Sequence, residues 1–248
     1  MAKIPCYVVV FFDVPTVKKS LNFLCDFYDR LEIHVIENPS KYSPEIKEYI
    51  HAQMNAGKIV DHFLFEKNIT GNALTTVAES IETDSDFILF TDGDLVADNT
   101  WLDESLDILK KHDSLAAVSV ELSLHNLPTQ AFPEAINWVP SPVRITEDYI
   151  EGSGGHHLLL FRTKWLKPFL EFLKVNKLNW TDGSIRLFLA RYHREGSWVK
   201  TKNSRATHLT WDLYADRNHE YTRFRESKSL QETWDHNEWC GYERFTKL

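Results

Sequence analysis

The segment Phe87-Ile88-Leu89-Phe90-Thr91-Asp92-Gly93-Asp94 constrains the fold most, because a run of large apolar residues stops there at two carboxylates separated by one glycine. A short apolar run bounded by polar residues suits a strand covered on both faces, and in open α/β sheets ligands gather beyond the carboxyl ends of such strands. Asp92 and Asp94 therefore stand where chemistry is expected. Alternate residues of an extended chain point the same way, so the two carboxylates can converge on one cation, while Gly93 lets a ligand approach the backbone. Two hard oxygen donors suit Mg2+ or Mn2+ carrying phosphate. An Asp-Gly turn at a strand end accounts for the same residues without any ligand. The rest of the chain decides between the two.

Around this segment, strand and helix patterns alternate, which implies parallel strands joined by crossover helices. Tyr7–Phe12 reads as the first strand, and Val17, Leu21, Leu24 and Tyr28 recur at helical spacing. Glu32–Ile36 forms a second strand that runs into the loop Glu37-Asn38-Pro39-Ser40. Ser43-Pro44 opens a helix that Gly57 stops, before a strand region over Lys58–Phe65. A helix over Gly71–Ile81 leads to the Phe87–Thr91 strand. Asn99 or Thr100 caps a helix reaching Lys111, and Leu115–Val120 returns as a strand.

Regularity then fails from Ser123 to Ile150, where Pro128, Pro133, Pro140 and Pro142 are spread among polar and aromatic residues. A stretch of that length inside a compact domain suits a binding loop lying over a pocket. Order resumes at the glycine-rich bend Glu151-Gly152-Ser153-Gly154-Gly155-His156-His157, which enters an apolar strand and then a helix over Lys164–Asn176. Ile185, Leu189 and Tyr192 mark another helix with Asp182 at its start, either as its cap or as a carboxylate held ready at a pocket edge. Trp198–Lys200 and Arg205–His208 read as two short strands, and an aromatic, charged segment from Tyr214 to Leu248 closes the chain.

Composition narrows the class. The chain has 248 residues, 43% of them apolar, enough for one large domain with a real core. Its formal charge of −8, from 36 acidic against 28 basic residues, argues against a protein held mainly by nucleic-acid phosphates. Arg186, Arg191, Arg194, Lys200, Lys202 and Arg205 crowd the second half, as a local anion site or as a solvated helix face. Cys6, Cys25 and Cys240 have neither disulfide nor metal-site spacing, which points to a reducing, cytoplasmic setting. The apolar stretch Cys6–Phe12 is too short for a membrane span and lacks a cleavage site, so it is read as a strand. Asn68-Ile69-Thr70 and Asn179-Trp180-Thr181 match the glycosylation pattern but carry no weight without a secretory route.

In order, these pieces resemble the GT-A glycosyltransferases, and among them the family 2 group, over roughly Tyr7 to Trp211. The matching pieces are the first strand, Val35-Ile36-Glu37-Asn38-Pro39-Ser40, the Asn68–Ala73 turn and Phe-Ile-Leu-Phe-Thr-Asp-Gly-Asp. Leu159-Leu160-Phe161-Arg162, Trp180-Thr181-Asp182 and Ala206-Thr207-His208 complete the set. The resemblance implies an α/β fold with a central mixed sheet flanked by helices, as one domain over residues 1–248. Residues 1–122 would bind a nucleotide-sugar, 123–212 would supply the acceptor and catalytic half, and 213–248 would form a C-terminal tail.

The resemblance also implies roles. Phe12, Asp13 and Glu37 would meet the base and ribose of a UDP- or GDP-sugar, with Asn72 nearby; Glu37 reads equally as a solvated loop charge. Asp94 would bind Mn2+ or Mg2+, with Asp92 touching the ribose or the ion. His208 would complete the metal shell or serve the structure alone. Asp182 would be the base that takes the acceptor's hydroxyl proton, in a displacement with inversion. Thr181 stands where a second carboxylate is often found, and Glu151 is the reserve base. Trp180, Trp211 and His156 would wall a sugar ring. The acceptor class, whether glycan, protein or modified base, is left open. Two other readings compete: a nucleotidyltransferase, which Phe12-Asp13-Val14-Pro15-Thr16 disfavours by lacking a glycine-rich basic loop, and a noncatalytic sugar-binding protein.

Overall fold

The computed structural model describes residues 3–139, 144–152, 154–193, 196–229 and 240–247. Pro140 and Pro142 of the excursion, Ser153 of the bend, Arg194 of the basic cluster and residues 230–239 of the last segment lie outside the described residues.

The first half alternates as expected. It runs through β1 (Ile4–Val10), α1 (Val14–Cys25), β2 (Leu31–Glu37), α2 (Ser43–Asn55), β3 (Ile59–Phe65), α3 (Gly71–Ala78) and β4 (Phe87–Asp92). These strands lie parallel in the order β3-β2-β1-β4, so their carboxyl ends share one edge. Both faces of the sheet are covered, which explains the unbroken apolar runs. Cys6, Val8 and Val10 pack with α1, α2 and Trp101 on one face, while Tyr7, Ile88 and Phe90 pack with Leu74, Phe169 and Phe188 on the other. β1 ends two residues earlier than the sequence suggests, because Phe12 turns to a φ of 69°.

Next come β5 (Leu95–Ala97), α4 (Trp101–Lys111), β6 (Ala117–Leu122), β7 (Arg144–Ile145), β8 (Tyr149–Glu151) and β9 (Leu159–Arg162). β9 inserts antiparallel between β4 and β6, and makes the sheet mixed. α5 (Leu166–Asn176) and α6 (Asp182–Tyr192) follow, then β10 (Trp198–His208), α7 (Thr210–Tyr214), α8 (Glu220–Ser229) and β11 (Tyr242–Thr246).

Two differences from the sequence reading matter for the site. The two short strands expected at Trp198–Lys200 and Arg205–His208 are one bent strand, β10, whose pairing with β6 shifts between Lys200 and Arg205. Carboxylates on and before α4 hold the bend. Glu104 accepts from the amides of Lys202, Asn203 and Ser204 at 2.8, 2.8 and 2.7 Å, and Asp98 accepts from Arg205 at 2.8 Å. Periodicity carries no sign of such a device, because the partners are about a hundred residues apart. The bend aims the last residues of β10 at the end of β4.

The last segment also returns to the sheet, where β11 pairs antiparallel with β3. Asp61, buried at 2% side-chain exposure, anchors it. Its carboxylate takes hydrogen bonds from Arg244 at 2.9 Å, Thr246 at 2.7 Å and the His34 ring at 2.9 Å. Burial favours the neutral acid here, but those three donors outweigh it and hold the Asp61 pKa well below the usual carboxylate range. Among the described residues no helix is long and apolar enough to cross a membrane.

The Asp61 anchor is testable. Because its folded pKa is depressed, its contribution is present above the unfolded carboxylate pKa and fades as pH falls toward the folded value. Asp61→Asn should cost about 3 kcal/mol in urea denaturation near neutral pH. The difference from wild type should shrink below about pH 4; a pH-independent difference would contradict the anchor.

Candidate active site

The carboxyl edge of β1, β2 and β4 opens into a cleft of about 560 Å³. Gly93 sets its floor. The Gly93 amide donates to the Val9 carbonyl at 2.7 Å, and a Cβ there would stand 2.6 Å from Val10 Cγ1 and 2.8 Å from the Val9 oxygen. The sequence suggests that this glycine makes room for a ligand; in the fold it makes room for β1.

Asp94 follows immediately. Thr210 donates its hydroxyl to Asp94 Oδ2 at 2.8 Å, and Leu209 donates its amide to the Asp94 carbonyl at 2.7 Å. His208 Nδ1 lies 2.9 Å from the same Thr210 hydroxyl and 3.4 Å from Asp94 Oδ2. Thr210 has one hydrogen and gives it to Asp94, so His208 must donate from Nδ1 and keep its lone pair on Nε2. The ring is held flat against Trp211, at 5.1 Å and 4°. Asp94 Oδ1 is buried with no protein partner, a costly state for a carboxylate oxygen unless something else binds it. Among the described residues no three His, Cys, Asp or Glu converge closely enough to hold a metal by themselves.

Asp182 stands on another wall. The cap of α6 is Thr181, not Asp182: Thr181 accepts from the Ser184 amide at 3.1 Å and the Ser184 hydroxyl answers the Thr181 amide at 2.9 Å. The capping box satisfies the helix start and leaves the Asp182 carboxylate to the cleft, with its side chain 51% exposed. His156 Nδ1 meets Asp182 Oδ1 at 2.6 Å, and the Trp180 indole N–H donates to His156 Nε2 at 2.6 Å. An indole only donates, so Nε2 accepts and the ring hydrogen sits on Nδ1, aimed at Asp182.

Charge follows from this chain of bonds. Burial opposes a charged Asp182, but the His156 bond and the nearby ring charges outweigh it and lower its pKa. Burial likewise opposes charging His156, while Asp182 and Asp92 favour it and raise its pKa on balance. Trp180 works against that rise, since a doubly protonated ring cannot accept its N–H. His157, by contrast, is pulled down to about 3, chiefly by burial and then by His208, and stays neutral.

The bend that carries His156 is itself pinned. Ser119 donates to the Gly155 carbonyl at 2.7 Å and receives the Trp198 indole N–H at 2.9 Å. A Cβ on Gly155 would stand 2.9 Å from Asp182 Oδ2.

Residues 4–166 match the sequence pattern of glycosyl transferase family 2. The chain belongs to that family. Three uncharacterized proteins of Acanthamoeba polyphaga mimivirus align with nearly all of it. One is 36% identical over 98% of this chain, and two are 34% identical over 94% and 98%. The chain spans half the length of the first and 33% and 28% of the others. Among solved structures, the mannosyltransferase PcManGT of Pyrobaculum calidifontis, in complex with GDP-Man and Mn2+, superposes with a TM-score of 0.57 at 12% identity, covering 94% of this chain and 66% of that one. GalNAc-T7 with UDP, GalNAc and Mn2+ gives 0.54 at 11% identity, covering 94% and 49%. At such identities the likeness is one of fold, the GT-A fold, and with the family match it classes the chain as a glycosyltransferase.

Within this family 2 cleft the structure gathers Asp92, Asp94, Asp182, His208, His156, Trp180 and Trp211. Phe12, Asp13, Glu37, Asn72 and Glu151 do not line it. Asp13 caps α1 through the Thr16 amide at 2.9 Å. Glu37 is neither a solvated loop charge nor a cleft wall: it is fully buried and bonded to His62 at 2.8 Å. Asn72 is buried on α3, Phe12 packs against Tyr42 and Phe224, and Glu151 sits on β8, 3.9 Å from Arg144. Their neighbours line the cleft instead, since Phe11 and Asn38 stand one residue away from the expected Phe12 and Glu37. Strand alternation was the missed signal: a shift of one residue turns a side chain to the other face. Trp138, Tyr214, Tyr221 and Phe224 also line the cleft and were not marked by any motif. No described member of the basic cluster does, and Lys200 is buried against Glu121 at 2.5 Å.

Gly93→Ala should lose about 1–3 kcal/mol of stability from overpacking against Val9 and Val10. Gly183→Ala, whose Cβ would meet only Thr181 Oγ1 at 3.6 Å, should lose much less. Chemical denaturation of the pair checks this; equal losses would remove the Gly93 constraint.

Proposed function

We propose that this domain transfers a sugar from a nucleotide-diphosphate donor to an acceptor hydroxyl, with a divalent cation on Asp94 and Asp182 as the base. The observation that carries the reading is the buried, unpartnered Oδ1 of Asp94, a residue that lines the same cleft as Asp182. Residues 1–122 would hold the donor, residues 123–212 the base and acceptor contacts, and the segment after 212 would complete the fold as part of one unit.

The donor set fits a cation that arrives with its phosphate. Asp94, with Asp92 and the Nε2 of His208 as companions, offers few protein ligands, and Mg2+ and Mn2+ commonly complete their shells with water and phosphate oxygens. No lysine or arginine stands among the described lining residues. The charge of a leaving diphosphate thus meets no lysine or arginine among them. A bound Mn2+ or Mg2+ supplies that charge. The two proteins of the same fold that hold Mn2+ beside GDP-Man or UDP support the choice.

Asp182 does the proton work. His156 holds its Oδ1, and the carboxylate receives the hydrogen of an acceptor hydroxyl. As that O–H bond breaks, the oxygen closes on the anomeric carbon and the bond from that carbon to the diphosphate oxygen breaks, its electron pair leaving with the diphosphate. Attack from the face opposite the leaving group inverts the centre. Trp180 and His156 fix the direction of the carboxylate throughout.

Three measurements test the reading. Asp94→Ala should abolish Mn2+-dependent binding of UDP- or GDP-sugars in calorimetry, and Asp92→Ala should weaken it less; unchanged binding by Asp94→Ala removes the cation from this site. Asp182→Asn should keep donor affinity while transfer falls by about 10²-fold or more. Near wild-type turnover would move the base elsewhere, and no transfer by wild type with any donor would favour a binding protein. Because the Asp182 pKa is lowered, transfer should show no acid limb above about pH 5. His156→Phe should bring that limb up into the measurable range.

A further inference from the structure

The cleft carries a second, aromatic wall that the donor and the base leave unused. Four rings stand in series: Phe12 to Tyr221 at 5.7 Å, Tyr221 to Tyr214 at 5.8 Å, and Tyr214 to Trp138 at 5.5 Å between centroids. Tyr221, Tyr214 and Trp138 line the cleft. Trp138 is 40% exposed, yet it is braced by Phe132 at 6.0 Å, which Arg217 covers at 4.7 Å while donating to the Ala131 carbonyl. A braced, exposed indole at the mouth of a catalytic cleft is a surface prepared for a ligand.

We propose that this wall is the acceptor subsite and that the acceptor is a neutral carbohydrate, whose ring stacks on Trp138 and Tyr214 while one hydroxyl reaches Asp182. The proposal rests on the glycosyltransferase reading above. Two observations select the acceptor's chemistry. The cleft's fixed side-chain charges among the described lining residues are the carboxylates Asp92, Asp94 and Asp182, with no lysine or arginine. Phosphate groups are recognised by guanidinium and ammonium donors, so beyond the donor's own cation a phosphorylated lipid or a nucleic acid would find no such side chain among the described lining residues. The wall itself is made of aromatic rings set at 55°, 59° and 70° to one another. A sugar ring has one apolar C–H face and a rim of hydroxyls, which matches aromatic faces beside acceptor-only carboxylates.

The test uses the full chain, titrated with neutral gluco-, manno- and chito-oligosaccharides, a serine- and threonine-containing peptide, and sugar 1-phosphates. Each titration is run with and without Mn2+ and UDP or GDP, and read by tryptophan fluorescence and calorimetry. At least one neutral oligosaccharide should bind saturably, and Trp138→Ala should weaken it about tenfold or more. Tyr214→Phe, which keeps the ring, should weaken it less, and nucleotide affinity in Mn2+ should hold in both. Binding by the peptide or the sugar phosphate alone, binding by none of the panel, or oligosaccharide binding untouched by Trp138→Ala would overturn the proposal. Failure of wild type to bind nucleotide in Mn2+ would overturn the donor reading instead, and the nucleotide-free titrations still decide the wall.

Discussion

The Gly93 amide touching the Val9 carbonyl at 2.7 Å is the contact on which the cleft depends. It ends β4 against β1 with no space for a side chain between them, and fixes where the two carboxylates on either side leave the sheet. Other parts of the chain are tied to the same turn by main-chain bonds. The Asp92 amide donates to the His156 carbonyl at 3.3 Å, and the Asp94 carbonyl receives the Leu209 amide at 2.7 Å. The bend bearing His156 and the end of β10 bearing His208 are thus registered to β4 before any side chain is considered. Side-chain chemistry then follows from backbone geometry, which is more precise than placement by loops alone.

Electrostatics divides the cleft. Around Asp94 the hydroxyl of Thr210, itself held by the ring of His208, satisfies one carboxylate oxygen and leaves the other without a protein partner, a state that favours a cation. Around Asp182 the His156 ring satisfies one oxygen and lowers the pKa, which keeps this carboxylate ionised and weakens its pull on a proton. The two carboxylates share a chemical type but differ in their partners.

Much of this was legible in the order of residues. The apolar run ending in Asp92-Gly93-Asp94 specified a buried strand and its functional edge, and the alternation of patterns specified parallel strands with crossover helices. Asp182 and His208 were marked by the resemblance to the family, and both line the cleft. Glu37 was expected at the base and ribose, but Asn38 beside it lines the cleft, because a loop following a strand does not reveal which residue turns inward. Glu37 pairs with His62 from the adjacent strand, a partner 25 residues away that no local pattern exposes. The bend in β10 escaped for the same reason, since Glu104 satisfies amides 98 to 100 residues further on. The aromatic wall had no spacing at all, because its rings come from the proline-rich excursion, α7 and α8.

That scatter separates what the family accounts for from what it does not. The family 2 pattern ends at residue 166, so it takes in Asp92, Asp94, Trp138 and His156 but stops before Asp182, His208, Thr210, Tyr214 and Tyr221. The alignments with the viral proteins continue across 94% to 98% of the chain and so run well past that point. The half of the cleft outside the pattern is held in place by its own means: α8 is tied back by Glu220, which accepts from Tyr42 at 2.7 Å and pairs with Lys41, and β11 is tied to β3 through Asp61. These ties bring Tyr221 and Phe224 against Phe12 at the end of β1. The part of the chain beyond the pattern thus reaches the cleft through a second set of long-range bonds.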